Sequence, residues 1–298
     1  MLELRNSKKV FGSLGFVSLI AVILRTILII NNTDSRGFYI NQSSKLVLFL
    51  RIIFICFWAL AFILPLFDEF PSENRSRNSD KLLGVSMAVL GGIIMFVGLV
   101  EFFVMFQLIW SPNFLEIKYL ISNTPNSIIK IIFSIVSFIT GWLVTTISIK
   151  IINKQAVYNN YFLSVMFVIW GILRAMLFTK THDTIVTIDD HLYSIITIMF
   201  SILFLFGLSR LLFDIDYKSG YKMAISSGFI LIFFGILDTV PNYIAFFMKK
   251  NIFFSVKDTN GIMDLSLAIF AIIFLYIIIL KKGEKTIMFK RPEKNIEI

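Results

Sequence analysis

The sequence predicts an all-α membrane protein with eight transmembrane helices, and three observations support this fold class. First, hydrophobic residues make up 57% of the 298 residues and charged residues only 16%, whereas soluble domains average about 45–50% and about 25%. Second, apolar runs of about 18 or more residues, enough to cross a hydrocarbon core about 30 Å thick, recur along the chain. Third, the connections are short. We therefore expect one transmembrane domain over residues 1–298 and no soluble domain.

The eight expected spans lie at about 10–30, 46–66, 82–110, 128–149, 161–179, 193–213, 223–248 and 263–280. The first span lacks a small-residue cleavage site and carries Arg25, so we expect a retained helix rather than a signal peptide. The single cysteine, Cys56, lies within the second span. An intramolecular disulfide and a CxxC metal or redox motif are therefore excluded.

The distribution of basic residues predicts the orientation of the chain. With the N-terminus inside, the inner segments carry sixteen Lys and Arg residues and the outer loops carry seven, which is the positive-inside bias. We expect both termini in the cytoplasm of a bacterial cell, and the basic tail 281–298 against anionic lipid headgroups of the plasma membrane. A nucleic-acid partner is not expected, because no basic module interleaved with aromatic residues is present. A protein partner or a homo-oligomer remains open.

Two pairs of similar segments indicate an internal repeat. ILRTILIINNTD, Ile23–Asp34, matches ILRAMLFTKTHD, Ile172–Asp183; and GGIIMFVGLVE, Gly91–Glu101, matches GFILIFFGILD, Gly228–Asp238. The matches occur in the same order, and each aligns a charge that is rare within a membrane. They predict two parallel four-helix repeats, residues 10–149 and 161–280. Chance similarity between apolar helices is the alternative, and the other spans show little resemblance.

Five ionisable residues lie in the outer halves of their expected spans. Arg25, Arg51 and Arg174 are each about five residues from an outer end, and Glu101 and Asp238 are about nine and ten residues away, near the midplane. A charge at the membrane centre costs about 2.5–3.5 kcal/mol on insertion scales, so we expect partners or a function. The arginines could each extend to the outer headgroups. Pairs Arg25–Glu101 and Arg174–Asp238, pairing across the two halves, and a functional site all remain open.

Pro241 follows Asp238 closely and removes a helical hydrogen bond, so we expect a kink with freed carbonyl groups beside Asn242. The resulting hypothesis is an outward-facing polar pocket with a surplus of positive charge, suited to a carboxylate, a phosphate or a lipid headgroup. Its expected ligand-binding residues are Arg25, Arg51, Glu101, Arg174, Asp238 and Asn242.

The segment FTKTHDTIVTIDDHLYS, Phe178–Ser194, contains both histidines of the chain. Thr187-x-x-Asp190 matches a helix-capping box, with Asp189 as a second acid in the first turn. The segment also offers metal-ligand donor types, although their spacing matches no compact metal motif. We therefore expect a cap and the rim of the pocket, and no metal. The weak metal candidates are His182, Asp183, Asp189, Asp190 and His191.

Five further segments, LRTILIINNTDSRGFY, TIDDHLYS, GLSRLLFD, TVPNYI and DLSLAIF, are distributed over most of the chain. In these segments the sequence resembles a group of multi-pass membrane proteins from clostridia and related bacteria that has no assigned activity. The resemblance implies a multi-span fold and a plasma-membrane location. It transfers no functional residue.

Three functions fit these observations. The first is a transporter or solute-binding membrane protein that uses the outward pocket, which short loops and a repeat favour. The second is a sensor or accessory subunit acting with a partner. The third is an intramembrane lipid-modifying enzyme with Glu101 or Asp238 as an acid or base. No nucleophile motif, cofactor motif or heme-ligating histidine within a span is present, so no catalytic residue and no cofactor are expected.

Overall fold

The computed structural model describes residues 5–32, 45–67, 81–109, 125–153, 155, 161–181, 188–213, 215–248 and 259–280. Eight α-helices and no strand occur in these ranges. The eighth helix continues as a π-helical turn, Tyr276–Leu280. The helices are α1 Arg5–Asn32, α2 Lys45–Phe67, α3 Lys81–Ile109, α4 Pro125–Ile152, α5 Tyr161–Thr181, α6 Ile188–Leu212, α7 Tyr217–Phe247 and α8 Thr259–Leu275.

The helices coincide with the expected spans, so the all-α prediction is confirmed for the described residues. Seven of them, α1 and α3 to α8, are long and apolar enough to cross a membrane. The remaining helix, α2, has 23 residues. Large apolar side chains such as Phe16, Ile55 and Trp142 are exposed on the outside of the bundle, where hydrocarbon would cover them. By length and composition, this is a multi-pass helical membrane protein.

The centre of the bundle is α7. In the apolar 18-residue stretch of its span, 78% of the residues are buried, compared with 33% in the corresponding stretches of α1, α3 and α4. It packs most extensively along α6, and it also contacts α8, α1 and α2. Because one helix touches elements from both halves of the chain, a polar side chain on α7 can meet partners from distant parts of the sequence.

The closest helix pair is α3 with α4. Gly84, Gly91 and Gly98 repeat every seven residues along the face of α3 that touches α4. A Cβ atom on Gly91 would lie 2.8 Å from the carbonyl oxygen of Gly141, and a Cβ on Gly141 would lie 2.5 Å from the carbonyl oxygen of Gly91. The two backbones therefore touch directly, as small residues allow in membrane helices.

The glycine motif identified in both halves makes similar contacts. In α3, a Cβ on Gly98 would lie 2.9 Å from the carbonyl oxygen of Ser134 on the next helix; in α7, a Cβ on Gly235 would lie 3.2 Å from that of Asp264, also on the next helix. The other contacts differ. The α6–α7 pair is extensive, whereas the corresponding α2–α3 pair is not among the main contacts of the described residues. The repeat therefore stays a prediction.

The turn between α6 and α7 is fixed by a cap. The Asp216 carboxylate accepts a hydrogen bond of 3.2 Å from the backbone N–H of Ser219, which is the N-cap arrangement at the start of α7. Nη2 of Arg210, in the last turn of α6, lies 2.8 Å from Oδ2 of the same carboxylate. This ion pair holds the two central helices together at the end opposite to the candidate site.

Candidate functional site

Arg25 of α1 and Asp238 of α7 form an ion pair inside the bundle. Nη2 of Arg25 lies 3.6 Å from Oδ1 of Asp238, and the exposed fractions of the two side chains are 0% and 10%. The guanidinium carbon of Arg25 also lies 4.2 Å from the ring centre of Tyr193 on α6, a cation–π contact. Arg25 is therefore covered by protein and does not extend to the headgroups.

Ser194 of α6 contacts the same carboxylate from another side. Its hydroxyl donates a hydrogen bond of 2.6 Å to Oδ2 of Asp238, while Oδ1 faces Arg25. Tyr193 and Ser194 are adjacent, so one turn of α6 touches both members of the ion pair: the ring lies against the cation and the hydroxyl against the anion. Neither residue could be expected at the site from the sequence, because a single Tyr or Ser in an apolar helix carries no charge.

Pro241 lies inside α7, and the helix continues through it to Phe247. Its missing N–H removes the usual donor to the carbonyl of Leu237, four residues earlier. Nearby, the side-chain amide of Asn242 donates 2.6 Å to the backbone carbonyl of Asp238, and the Thr239 hydroxyl donates 2.6 Å to that of Gly235. Asn242, an expected ligand residue, thus binds the backbone of its own helix beside the proline.

A second buried ion pair joins α5 to α8. Nη2 of Arg174 lies 2.6 Å from Oδ1 of Asp264, and the exposed fractions of the two side chains are 1% and 3%. The guanidinium carbon lies 5.7 Å from the ring centre of Trp170, one turn earlier in α5. The Trp170 ring N–H donates 3.1 Å to the Ser137 hydroxyl on α4. Arg174 is therefore held by groups from its own helix and from α8.

The helices that carry the two aspartates, α7 and α8, touch near both of them. The position of Gly235 on α7, one turn from Asp238, lies against the backbone of Asp264 and the side chain of Ala268 on α8, and against Thr197 on α6. Because Gly235 has no side chain, α8 approaches α7 closely here. Arg25, Arg174, Asp238 and Asp264 are called the buried charge cluster below.

All four members of the cluster lie toward one end of the bundle. Arg25 and Arg174 each precede the last residue of their helices by seven positions, about 10 Å along the axis. Asp238 lies nine residues before the end of α7, and Asp264 lies five residues after the start of α8. The cluster carries two positive and two negative formal charges, so it is balanced.

Two expected members of the pocket lie elsewhere. Glu101 lies beside Lys130: its Oε2 is 3.9 Å from Nζ of Lys130, and this partly exposed pair joins α3 to α4. Arg51 is exposed on α2 rather than buried with the other arginines. The expected surplus of positive charge relied on three arginines against two carboxylates. The cluster instead has two of each, because Arg51 faces outward and Asp264 joins.

Asp264 was not among the expected site residues. It is the only acidic residue in the last expected span, 263–280. The rule that an ionisable residue within a span needs a partner would have selected it. It lies one residue after the start of the expected span, whereas α8 begins five residues before it, at Thr259.

The metal candidates lie just before α6 or in its first turn. His182 and Asp183 are outside the described part of the chain, while Asp189, Asp190 and His191 lie in the first turn of α6, which begins at Ile188 directly after Thr187. This helix start agrees with the capping box. Among the described side chains, no group of three or more His, Cys, Asp or Glu residues could hold a metal ion. The metal prediction on this segment is therefore untested.

Comparisons with known proteins leave the site to be judged on its own geometry. No protein-family model matches the chain, and neither a curated protein nor a solved structure matches it.

Proposed function

We propose that the chain is an eight-span protein of a bacterial plasma membrane that binds a small oxyanion at Arg25 and Arg174 and carries it across the membrane. In addition to the seven apolar helices, α2 is also a span, because its 23 residues reach about 34 Å at 1.5 Å per residue. The excess of basic residues in the inner segments supports placing both termini in the cytoplasm. The buried charge cluster then lies in the half of the bundle that is nearer the exterior.

One observation carries this proposal: two arginines with exposed fractions of 0% and 1% lie at the same end of the bundle, each facing an aspartate of another helix. Both guanidinium groups are removed from the bilayer and from the protein surface. Such intramembrane charges usually line a substrate or ion pathway.

A purely structural role explains the cluster less well. Transferring charged groups out of water costs several kcal/mol per ion, and apolar residues in place of a buried ion pair are often as stable or more stable. Here the second buried pair repeats that cost. A binding role gives a reason for the cost, because a guanidinium group that is already desolvated binds an anion strongly.

The chemistry of the ligand follows from the two arginines. A guanidinium group presents N–H donors in a planar fork that matches a carboxylate or a phosphate. In the cluster, Asp238 and Asp264 supply such carboxylates from the chain itself. A ligand with the same group can replace one of them at its arginine. The ligand class is therefore an oxyanion, as a free solute or as a lipid headgroup.

Two further proposals accompany this function. The two parallel four-helix repeats would place α3 and α7 at equivalent positions, which the similar contacts of Gly98 and Gly235 support. Membership of the clostridial group of membrane proteins remains supported only by the sequence segments that resemble it.

The test is a binding measurement on the purified full chain in lipid nanodiscs. Inorganic phosphate and lactate are titrated by calorimetry into nanodiscs of phosphatidylcholine alone, and a second series uses nanodiscs with phosphatidylglycerol. Binding in the first series identifies a free solute. If phosphatidylglycerol in the nanodiscs prevents the soluble anions from binding, the ligand is a lipid headgroup.

Arg25→Gln and Arg174→Gln should each weaken anion binding at least tenfold. Arg210→Gln is the matched control, because Arg210 lies at the opposite end of the bundle and pairs with a half-exposed aspartate. It should bind like the wild type. If the wild type binds none of the anions, or if both arginine variants bind as well as the control, the proposed function is wrong.

A further inference from the structure

The Arg25–Asp238 pair is the looser of the two buried ion pairs. Its N···O distance is 3.6 Å, compared with 2.6 Å for Arg174–Asp264, and the Asp238 side chain is 10% exposed, compared with 3% for Asp264. A separation of 3.6 Å exceeds the length of a direct N–H···O hydrogen bond, and the Coulomb attraction falls with distance. Asp238 is therefore the carboxylate that an incoming anion displaces from its arginine most easily.

Displacement alone would unbalance the buried charge cluster. The cluster holds two cations and two carboxylates, so an anion bound at Arg25 beside an ionised Asp238 adds one uncompensated negative charge. An isolated charge in a low-dielectric interior is strongly unfavourable, and a group in that position usually neutralises instead. One proton on Asp238 restores the balance.

The contacts of Asp238 fit both protonation states. The Ser194 hydroxyl donates to Oδ2 of the carboxylate at 2.6 Å. A hydroxyl is both a donor and an acceptor, so after rotation the same group can accept a hydrogen bond from a carboxylic acid. Arg25 meanwhile keeps its cation–π contact with Tyr193, 4.2 Å from the ring centre. Neither partner has to leave its place when Asp238 becomes neutral.

The described charged and titratable side chains near Asp238 come from several helices packed on α7. Arg25 faces it from α1, Tyr193 lies beside the pair on α6, and Asp264 is the neighbouring acid on α8, itself held by Arg174. On α2, the described charged side chains are Lys45 and Arg51, and both are exposed. Arg25 is thus a buried cation that faces Asp238 directly.

We propose that Asp238 couples proton binding to anion binding: as a monovalent anion binds Arg25, one proton from the solvent forms an O–H bond with the Asp238 carboxyl group. The anion and the proton then cross together, and no net charge moves. This inference rests on the proposed function, because it needs an anion at Arg25. It adds the coupling ion and the stoichiometry.

Lactate is a suitable monovalent anion for the test, since it stays ionised between pH 6 and pH 8. In nanodiscs, lactate affinity of the wild type should weaken up to about tenfold for each unit of rising pH, because binding takes up one proton. Asp238→Asn should bind lactate with no pH dependence. Glu101→Gln, which alters a carboxyl group outside the cluster, should keep the wild-type dependence.

A transport measurement completes the test and does not depend on any variant folding. In proteoliposomes with an acidic exterior, the wild type should accumulate lactate, with one proton entering per lactate by an internal pH dye and no response to an imposed membrane potential. Empty liposomes give the background.

The outcomes separate the two proposals. Lactate binding that is independent of pH in the wild type, or uptake without proton entry, overturns the coupling and leaves the proposed function standing. A pH dependence that Asp238→Asn retains, or that Glu101→Gln loses, removes Asp238 from the role. If the wild type binds neither lactate nor phosphate, the proposed function itself fails.

Discussion

Arg25 on α1 pairs with Asp238 on α7, while Glu101, the acid of its own half of the chain, lies beside Lys130. The pair therefore ties the first helix to the seventh. Arg174 on α5 similarly binds Asp264 on α8. Each arginine is joined to a helix whose position in the sequence is distant, so the charges fix long-range packing as well as the chemistry of the site.

The Arg174–Asp264 pair should show strong coupling in a double-mutant cycle. Arg174→Gln leaves the buried Asp264 carboxylate without its cation and should lower the free energy of unfolding by about 3–5 kcal/mol. The double variant Arg174→Gln with Asp264→Asn removes both charges and should recover much of that loss. Denaturant titration of the purified protein in detergent measures each step.

Arg210→Gln is the control for this cycle, because the carboxylate of Asp216 is 45% exposed. This variant should lower the free energy of unfolding by about 0–1 kcal/mol, as for other exposed ion pairs. A single variant of Arg174 that is as stable as this control would contradict the role assigned to the buried pair.

Gly91 and Gly92 offer a matched test of the α3–α4 contact. A Cβ on Gly91 would lie 2.5 Å from Oγ1 of Thr145 and 2.8 Å from the carbonyl oxygen of Gly141, whereas a Cβ on Gly92 meets nothing within 4 Å. Gly91→Ala should therefore destabilise the protein by about 1–3 kcal/mol. Gly92→Ala should be neutral or stabilise it by up to about 1 kcal/mol, because Ala favours a helix over Gly. Thermal unfolding of the two variants side by side decides, and equal melting temperatures would argue against direct backbone contact.

The Ser194 hydroxyl should contribute to stability through Asp238. Ser194→Ala removes a hydrogen bond to a charged acceptor and should cost about 1.5–3 kcal/mol. Ser266→Ala serves as the comparison, since the Ser266 hydroxyl donates to the carbonyl of Ile262 in its own helix. Ser266→Ala should lower the free energy of unfolding by less than Ser194→Ala does. Unfolding free energies that do not differ between the two variants would show that Ser194 does not hold the carboxylate.

The eight-span proposal predicts the sides on which two loops lie. In a Cys56→Ser background, a cysteine at Ser35 should react with an impermeant maleimide added to intact cells, and a cysteine at Ser76 should react only after the cells are opened. If α2 does not cross the membrane, both positions fall on the same side and label alike. The comparison therefore tests whether α2 is a span.

The positions of the helices could be predicted from the sequence, because burying each backbone amide in hydrocarbon requires long apolar helices. The side of each helix that faces the interior of the bundle could not be predicted. Arg25 and Arg51 lie at similar depths from the ends of their expected spans, yet Arg25 is buried and Arg51 is exposed. In a membrane, lipid-facing residues are as apolar as buried ones, so the periodicity that identifies the inner face of a soluble helix is lost.

The charged residues of the site could be selected from the sequence, but their partners could not. A charged residue is conspicuous in the sequence of an apolar helix, and this contrast identified Arg25, Arg174 and Asp238. Pairing depends on which helices touch, and the close approach of α8 at Gly235 brings in Asp264. The roles of Tyr193 and Ser194 depend on the same packing and carry no signal in an isolated sequence.

The distance in sequence between Arg25 and Asp238 has a consequence for biosynthesis. The aspartate emerges from the ribosome 213 residues after the arginine, a delay of about 10–40 s at 5–20 residues per second. During that interval α1 must enter the bilayer with a cation that lacks its final counter-charge. The insertion machinery, local water or a headgroup phosphate has to shelter this side chain until the seventh helix arrives.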